Sequence, residues 1–442
     1  MRSLIEAPCW RNTALDLAGF LVVLVFVVAY TAITSEKVNR TAMSLTGMAI
    51  VAMIVWVLLG SSFRVLTEHI GWYTVLFVTG QMIIVGISRA SGMYQYLALK
   101  LALPSGGNPR HLFITFLVFV FFISLFFDTT STMLIVGPIT IEICRATNLD
   151  IKPFLVSEAI VANFASIPSV VGDVPNLVVA NSIPGFSPGF QFITLMPLSF
   201  ILLIISLPIM IRYFERSMTG HDIATTREVL RIDPTSLIRS KLEFYMSIGA
   251  MIALALAFTV GIAGGLEPSL ASISIAAVML LFTQRDVDAV LRQVGWGTVF
   301  FVIGIFGIVA ALDITGVLAE LAAWVSTVVA GDKTVVTLFM VWIPGLLSSV
   351  IDNVPIAALL APIALEVSSI SPLLPIALIF GVNVGAFVLP IGSPANIIAL
   401  ALSEAEDDRI GMWGFAKLAT PIALLMMLVG TGWLLLLGAL LP

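Results

Sequence analysis

The chain has 442 residues, of which 59% are hydrophobic and only 11% charged, against roughly 25% charge in a soluble domain. That balance excludes an ordinary soluble globular protein, and the absence of a basic patch interleaved with aromatics excludes a nucleic-acid-binding surface. The formal net charge of −5 decides little because nearly all charge falls between apolar runs, and two cysteines, Cys9 and Cys144, supply neither a disulfide framework nor a metal-ligand spacing.

A hydrocarbon core about 30 Å thick takes about 20 apolar residues to cross. In the first half of the chain, spans are predicted at about 15–34, 41–60, 72–88, 152–182 and 190–213. The first follows Arg2 and Arg11 but is too long for a signal peptide, so it is read as an uncleaved span. Before the fourth span lies the stretch of about 112–145, too long for one helix and interrupted at Asp128-Thr129-Thr130-Ser131. Each half is short for a crossing, which predicts a re-entrant hairpin; irregular backbone at that depth must be buried in protein or line a cavity. The segment 152–182 is itself interrupted at Gly172-Asp173-Val174-Pro175-Asn176. Glycine frees the backbone, Asp caps a restarting helix and Pro suits its first turn, so a broken helix is predicted.

The stretch 214–242 is the long polar one, with Arg216, Arg227, Arg231, Arg239 and Lys241, and Arg212 just before it. The positive-inside rule makes it cytoplasmic. Beyond it, spans are predicted at about 243–264, 268–283, 296–312, 373–403 and 413–440, with a second hairpin at about 333–367. The hairpin breaks at Asp352-Asn353-Val354-Pro355, and the 373–403 helix breaks at Gly392-Ser393-Pro394-Ala395-Asn396. Five spans on each side of the linker put both termini outside the cell membrane; Lys37 and Arg40, in a loop that falls inside, agree, while Arg2 and Arg11 do not. The odd number of spans per half turns the halves opposite ways. The first hairpin, flanked by Arg110 and Arg145, then enters from the cytoplasm and the second from outside.

The halves also repeat. Asp128 and Asp352 are 224 positions apart, as are Gly71 and Gly295, Gly80 and Gly304, Gly92 and Gly316, Pro138 and Pro362, and Glu142 and Glu366. After a four-residue deletion the register continues at 220 with Asn163 and Asn383, Gly172 and Gly392, and Asn176 and Asn396. The expected fold is an all-α polytopic membrane protein of two inverted repeats, residues 1–213 and 243–442, each of five spans with a re-entrant hairpin and a broken helix.

Four breaks put four helix amino termini near the bilayer midplane, where their free N–H groups attract anions or polar oxygens. Asp128 and Asp352 cap two of them. Capping alone does not explain an acid, since Ser or Asn caps as well without a titratable group in the membrane. A coupling-ion role, for a proton or sodium, is therefore expected of Asp128 and Asp352, with Asp173 a further candidate; its repeat partner is Ser393. Thr129, Thr130, Asn176, Asn353, Ser393 and Asn396 are expected to line the site. Glu142 and Glu366 read as boundary contacts, Glu158 is undecided, and Asn163 and Asn383 suit a helix–helix hydrogen bond as well as a ligand. Gly71-Trp72 and Gly295-Trp296 read as interface anchors. No Lys or Arg lies in the four motifs, so a multiply charged anion lacks a fixed counter-charge there. The histidines lie near span ends or in loops, and no cofactor is implied. An intramembrane aspartyl protease needs a Gly-x-Gly-Asp context, which Phe126-Phe127-Asp128, Ile351-Asp352 and Gly172-Asp173 all lack. A passive channel lacks its ring of charge.

At these motifs, Ser124 to Thr132, Val171 to Asn176, Ser348 to Pro355 and Ile391 to Asn396, the chain resembles the ion transporter superfamily. The likeness is to the branch of arsenite-permease-like, NhaD-type antiporter-like and P-protein-like permeases with a citrate-transporter-like domain. It implies a scaffold, a transport domain carrying both hairpins and both broken helices, an elevator-like motion and a homodimer through the scaffold. Dicarboxylate transporters of the superfamily carry Ser-Asn-Thr tips, whereas the tips here read Asp-Thr-Thr and Asp-Asn-Val. The expected activity is secondary active transport coupled to protons or sodium: efflux of a metalloid oxyacid such as arsenite by antiport, with sodium/proton antiport and sodium-coupled di- or tricarboxylate uptake as alternatives. The partners are a small-molecule or ion substrate and the lipid bilayer.

Overall fold

The computed structural model describes residues 9–34, 38–105, 108–147, 149–215, 233–257, 266–292, 294–329, 332–368, 370–406 and 410–440, and these are helical without a strand. The first half gives α1 (Cys9–Thr34), α2 (Arg40–Leu59), α3 (Phe63–Glu68), α4 (Trp72–Ser91), α5 (Met93–Ala102), α6 (Pro109–Ser124), α7 (Thr129–Thr147), α8 (Lys152–Ala165), α9 (Val174–Ser182) and α10 (Pro188–Tyr213). The second half gives α11 (Lys241–Leu256), α12 (Pro268–Phe282), α13 (Val287–Arg292), α14 (Trp296–Ile314), α15 (Val317–Val329), α16 (Lys333–Val350), α17 (Asn353–Val367), α18 (Leu374–Gly385), α19 (Pro394–Ala405) and α20 (Met412–Leu440). The two series run in the same order.

Starts and stops follow local chemistry. The Asn39 side chain accepts from Ala42 N at the start of α2, Asn108 accepts from Arg110 N before a proline-led α6, and Asp332 accepts from Thr334 N before α16. Gly92 and Gly316 take φ of 86° and 80°, turning the chain sharply out of α4 and α14 into α5 and α15. Helices α2, α4, α10, α14, α16 and α20 are long and apolar enough to cross a membrane. The protein is thus a multi-pass membrane protein.

The helices form two bundles. The first sets α12 and α11 against α4, and α2 against α14 and α1. The second sets α6 on α8, α16 on α18, α9 on α17 and α7 on α19, with α10 and α20 outside. Helices α5 and α15 run between them, touching α6 and α7, and α17, respectively. Matching contacts recur in the two halves. A methyl added at Gly80 would meet the Ser272 backbone carbon at 2.9 Å, and one at Gly304 would meet that of Ser44 at 2.6 Å, so both approaches of helix on helix need glycine. Trp72 Nε1 donates to Thr67 O at 3.1 Å, and Trp296 Nε1 to Leu291 O at 2.9 Å.

Some expectations change. The segments 93–102 and 317–329, left outside the predicted spans, are helices because the left-handed glycines restart the chain instead of ending it. The short helices α3 and α13 were not expected either. Helix α16 has 18 residues and is long enough to cross, so this half of the second hairpin is not short. Residues 216–232 of the predicted linker and 258–264 of a predicted span lie outside the described residues.

Candidate functional site

Helices α7, α9, α17 and α19 each restart after a break, and a side chain caps each start. Ser131 N donates to Asp128 Oδ1 at 3.0 Å and Ser131 Oγ to Oδ2 at 2.5 Å. Val174 N donates to Asp173 Oδ1 at 2.9 Å, Val354 N to Asp352 Oδ1 at 3.1 Å, and Ala395 N to Ser393 Oγ at 3.3 Å. Because α7 crosses α19 and α9 crosses α17, the four starts converge.

Asp173 stands at the centre. Its Oδ2 accepts from Asn353 Nδ2 of the second hairpin tip at 3.0 Å, and its Oδ1 faces Thr129 Oγ1 of the first tip at 3.5 Å. Asp128, Asp173 and Asp352, with Thr130, Asn353 and Arg40, line a cavity of about 20 Å³ closed on the first-bundle side by Val78, Met82, Thr298 and Phe301. A single water needs roughly 10–15 Å³, so the space suits one occupant of that size. Among the described residues no three His, Cys, Asp or Glu are grouped to hold a metal ion. A hard cation in this space would therefore depend on hydroxyl and amide oxygens as well as carboxylates.

Not every predicted residue faces that cavity. Asn176, Ser393 and Asn396 are wholly buried behind it. Asn176 Nδ2 donates to Ser166 O at 2.9 Å and Ser169 O at 2.8 Å, and its Oδ1 accepts from Asn383 Nδ2 at 2.7 Å. The other half mirrors this: Asn396 Nδ2 donates to Ala386 O at 2.9 Å and its Oδ1 accepts from Asn163 Nδ2 at 3.1 Å. These amides satisfy the frayed ends of α8 and α18 and tie the halves together, which uses their donors. Asn163 and Asn383 thus make the helix–helix bond. Glycine is needed at the breaks, since a methyl at Gly172 would meet Ser124 O at 2.9 Å and one at Gly392 would meet Ala386 O at 2.6 Å.

Arg40, the first residue of α2, was read from sequence as a loop charge. Its Nη1 lies 3.8 Å from Asp352 Oδ2 and its guanidinium carbon 5.4 Å from the Phe301 ring centre. The acidic site therefore does have a fixed positive neighbour. No local motif could reveal it, because 312 positions separate the two residues.

Larger cavities flank the site. One of about 290 Å³ lies beside Ile33, Val38, Arg40, Thr130 and Asp352. One of about 730 Å³ shares Met82, Thr130 and Thr298 with the acid cavity and is rimmed by Arg89, Arg239 and Arg285, with Glu142 in its wall. Arg239 N donates to Ser91 O at 2.9 Å, which docks the end of the predicted linker on the α4–α5 turn. A third, of about 250 Å³, is lined by His69, Gly71, Asn181, Phe306, Asp313 and Pro362. Its Gly71, Phe306, Asp313 and Pro362 are the repeat partners of Gly295, Met82, Arg89 and Pro138 in the 730 Å³ cavity. The two spaces are related by the repeat yet unequal, and the larger one shares lining with the acid cavity. Glu158 lies apart, fully buried, with Oε1 accepting from Thr140 Oγ1 at 2.6 Å and no partner on Oε2 among the described residues.

Known proteins resemble this chain in family pattern, in sequence and in fold. The citrate transporter family pattern, CitMHS, matches residues 30–370. The 46 kDa membrane protein of Mycobacterium leprae (strain TN) is 27% identical over 406 residues, covering 90% of this chain and 94% of that protein. The human P protein is 24% identical over 518 residues, covering 98% of this chain and 60% of that protein. The YdaH transporter of Alcanivorax borkumensis shares the fold, with a TM-score of 0.58 at 16% identity, covering 92% of this chain and 98% of that structure.

Proposed function

The chain belongs to the citrate transporter family and is a secondary transporter, not an enzyme; on that premise we propose that it exports a small uncharged metalloid oxyacid, with arsenite as the type, in exchange for a proton or sodium ion taken up in the cavity that Asp128, Asp173 and Asp352 line together with Thr130 and Asn353. The observation that carries this reading is the Asp173 carboxylate, touched by both hairpin tips and set in a cavity of about 20 Å³ with two further aspartates. Three acids against one arginine make the lining acidic, which favours a cation over a polycarboxylate. A neutral oxyacid meets no such penalty, and the flanking cavities of about 290 and 730 Å³, which share the Thr130 hydroxyl with the acid cavity, have room for it.

In this reading the halves lie oppositely in the cell membrane, with the linker cytoplasmic and both termini outside. The second bundle carries the site past the first, whose faces also join two copies. The unequal pair of cavities supports a state open toward the linker side. Two other readings each have an observation in their favour. The volume of about 20 Å³ suits a bare cation as sole cargo, as in sodium/proton antiport, and the family description together with Arg40 suits carboxylate uptake.

Counterflow in proteoliposomes with arsenite, silicic acid, sodium and dicarboxylates, under separate proton and sodium gradients, tests the choice. Arsenite exchange driven by either gradient is expected. Dicarboxylate exchange without arsenite exchange overturns the metalloid reading.

A further inference from the structure

We propose that Arg40 is an interlock: it ties the acid cavity to the first bundle through Asp352 and is displaced when a cation binds there. The proposal rests on the reading of the aspartates as the cation site. Arg40 belongs to α2, which packs on α1 and α14 in the first bundle, and its guanidinium stacks over Phe301 of α14. Asp352 caps α17 in the second bundle. The 3.8 Å contact between them therefore joins the two bodies. The Arg145–Glu406, Arg285–Glu243 and His69–Asp313 pairs each stay within one body.

Two further observations separate an interlock from a plain structural counter-ion. A cation at a helix amino terminus is disfavoured by the helix dipole, yet Arg40 opens α2. The arrangement is also one-sided. Ser44 and Ser272, each set against a glycine of the other half, put Pro268 at the place that matches Arg40. Asp128, the repeat partner of Asp352, is met by Ser131 of its own helix instead. If every buried acid here needed a guanidinium to fold, both would have one.

Among the described residues, the charged and titratable groups around Asp352 are Arg40 from α2, Tyr30 from α1, and Asp128 and Asp173 across the cavity. A proton or sodium ion on Asp352 cancels the charge that Arg40 holds. The contact then loosens and the second bundle is released to move. With no cation bound, the contact opposes that movement, which limits uncoupled cycling.

The test uses the full-length protein and needs no substrate. Sodium-22 binding and infrared titration of the carboxyl bands are compared for wild type, Arg40→Gln, Arg40→Lys, Asp352→Asn and the Arg40→Gln/Asp352→Asn double variant. Removing the guanidinium should lower the cation concentration at half-occupancy by about tenfold, a discounted Coulomb effect because the arginine is part-exposed. Arg40→Lys should move it a few-fold in the same direction, and it carries the test if Arg40→Gln does not fold. In the Asp352→Asn background Arg40→Gln should add nothing. Unchanged occupancy in both Arg40 variants, with binding weakened in Asp352→Asn, overturns the interlock and leaves the acid site standing. Wild-type binding in Asp352→Asn, or no titration of the wild type by either probe, removes both.

Discussion

Replacing Asn176 by alanine tests whether the crossed amides hold the broken helices together. The side chain is wholly buried and makes three hydrogen bonds, to Ser166 O, Ser169 O and Asn383 Nδ2, at 2.7 to 2.9 Å. The stranded groups keep second partners: Ser169 N still donates to Ser166 O, Gly172 N to Ser169 O, and Asn383 Nδ2 to Ile379 O. The loss is therefore close to the net worth of the bonds, about 1 kcal/mol each, and about 3 kcal/mol in all. Asn396→Ala should cost less, about 2 kcal/mol, because its bonds are longer: 2.9 Å to Ala386 O, 3.1 Å from Asn163 and 3.4 Å to Leu389 O. Asn181, with one bond of 3.3 Å to Thr74 Oγ1, should cost under about 0.5 kcal/mol. Reversible unfolding in mixed detergent micelles reads all three. An Asn176→Ala variant within about 1 kcal/mol of wild type, or an Asn181→Ala variant that loses more than it, refutes the reasoning.

Three other outcomes follow from the same geometry. Thr140→Ala removes the hydroxyl donor that meets buried Glu158 and should cost about 1–3 kcal/mol. Adding Glu158→Leu, which copies the Ala364 and Leu378 of the second half, should restore most of that loss in the same unfolding assay. Gly172→Ala and Gly392→Ala press a methyl onto carbonyl oxygens at the breaks and should each cost about 1–3 kcal/mol, while Gly249→Ala, with open space around it, should not fall in stability; thermal scans of the three compare them directly. Asp128→Asn keeps a cap and should change stability by under about 1 kcal/mol, yet gradient-driven flux in proteoliposomes should fall more than tenfold, with Ser393→Ala losing less flux at a cap's usual cost.

What the sequence disclosed was mostly punctuation. Asp128, Asp352, Gly172 and Gly392 marked the breaks because an apolar span has no other use for such residues, and each break lies where its motif does. The repeat register carried over to contacts as specific as Asn176 with Asn383 and Asn163 with Asn396. Roles were less legible than positions. Asn176 and Asn396 read as lining because they are polar, but which way an amide points depends on carbonyls that only the folded break exposes. Arg40 was counted as a topogenic charge, since a contact across 312 positions leaves no periodic trace. Asp173 ranked below the hairpin acids because its repeat partner is Ser393, yet both tips approach its carboxylate.

The central claim is that the carboxylate between the tips couples cation to cargo, and Asp173→Asn tests it most directly. Asn keeps its oxygen for Val174 N, and its Nδ2 takes the place of the oxygen that accepts from Asn353 Nδ2, so the Asn353 amide turns over to present its own oxygen and the break and both tips should hold. Flux in proteoliposomes is measured under a proton gradient and, separately, under a sodium gradient. The expected result is a folded protein whose flux no longer responds to the gradient that drives wild type. Undiminished response to that gradient in the folded variant contradicts it.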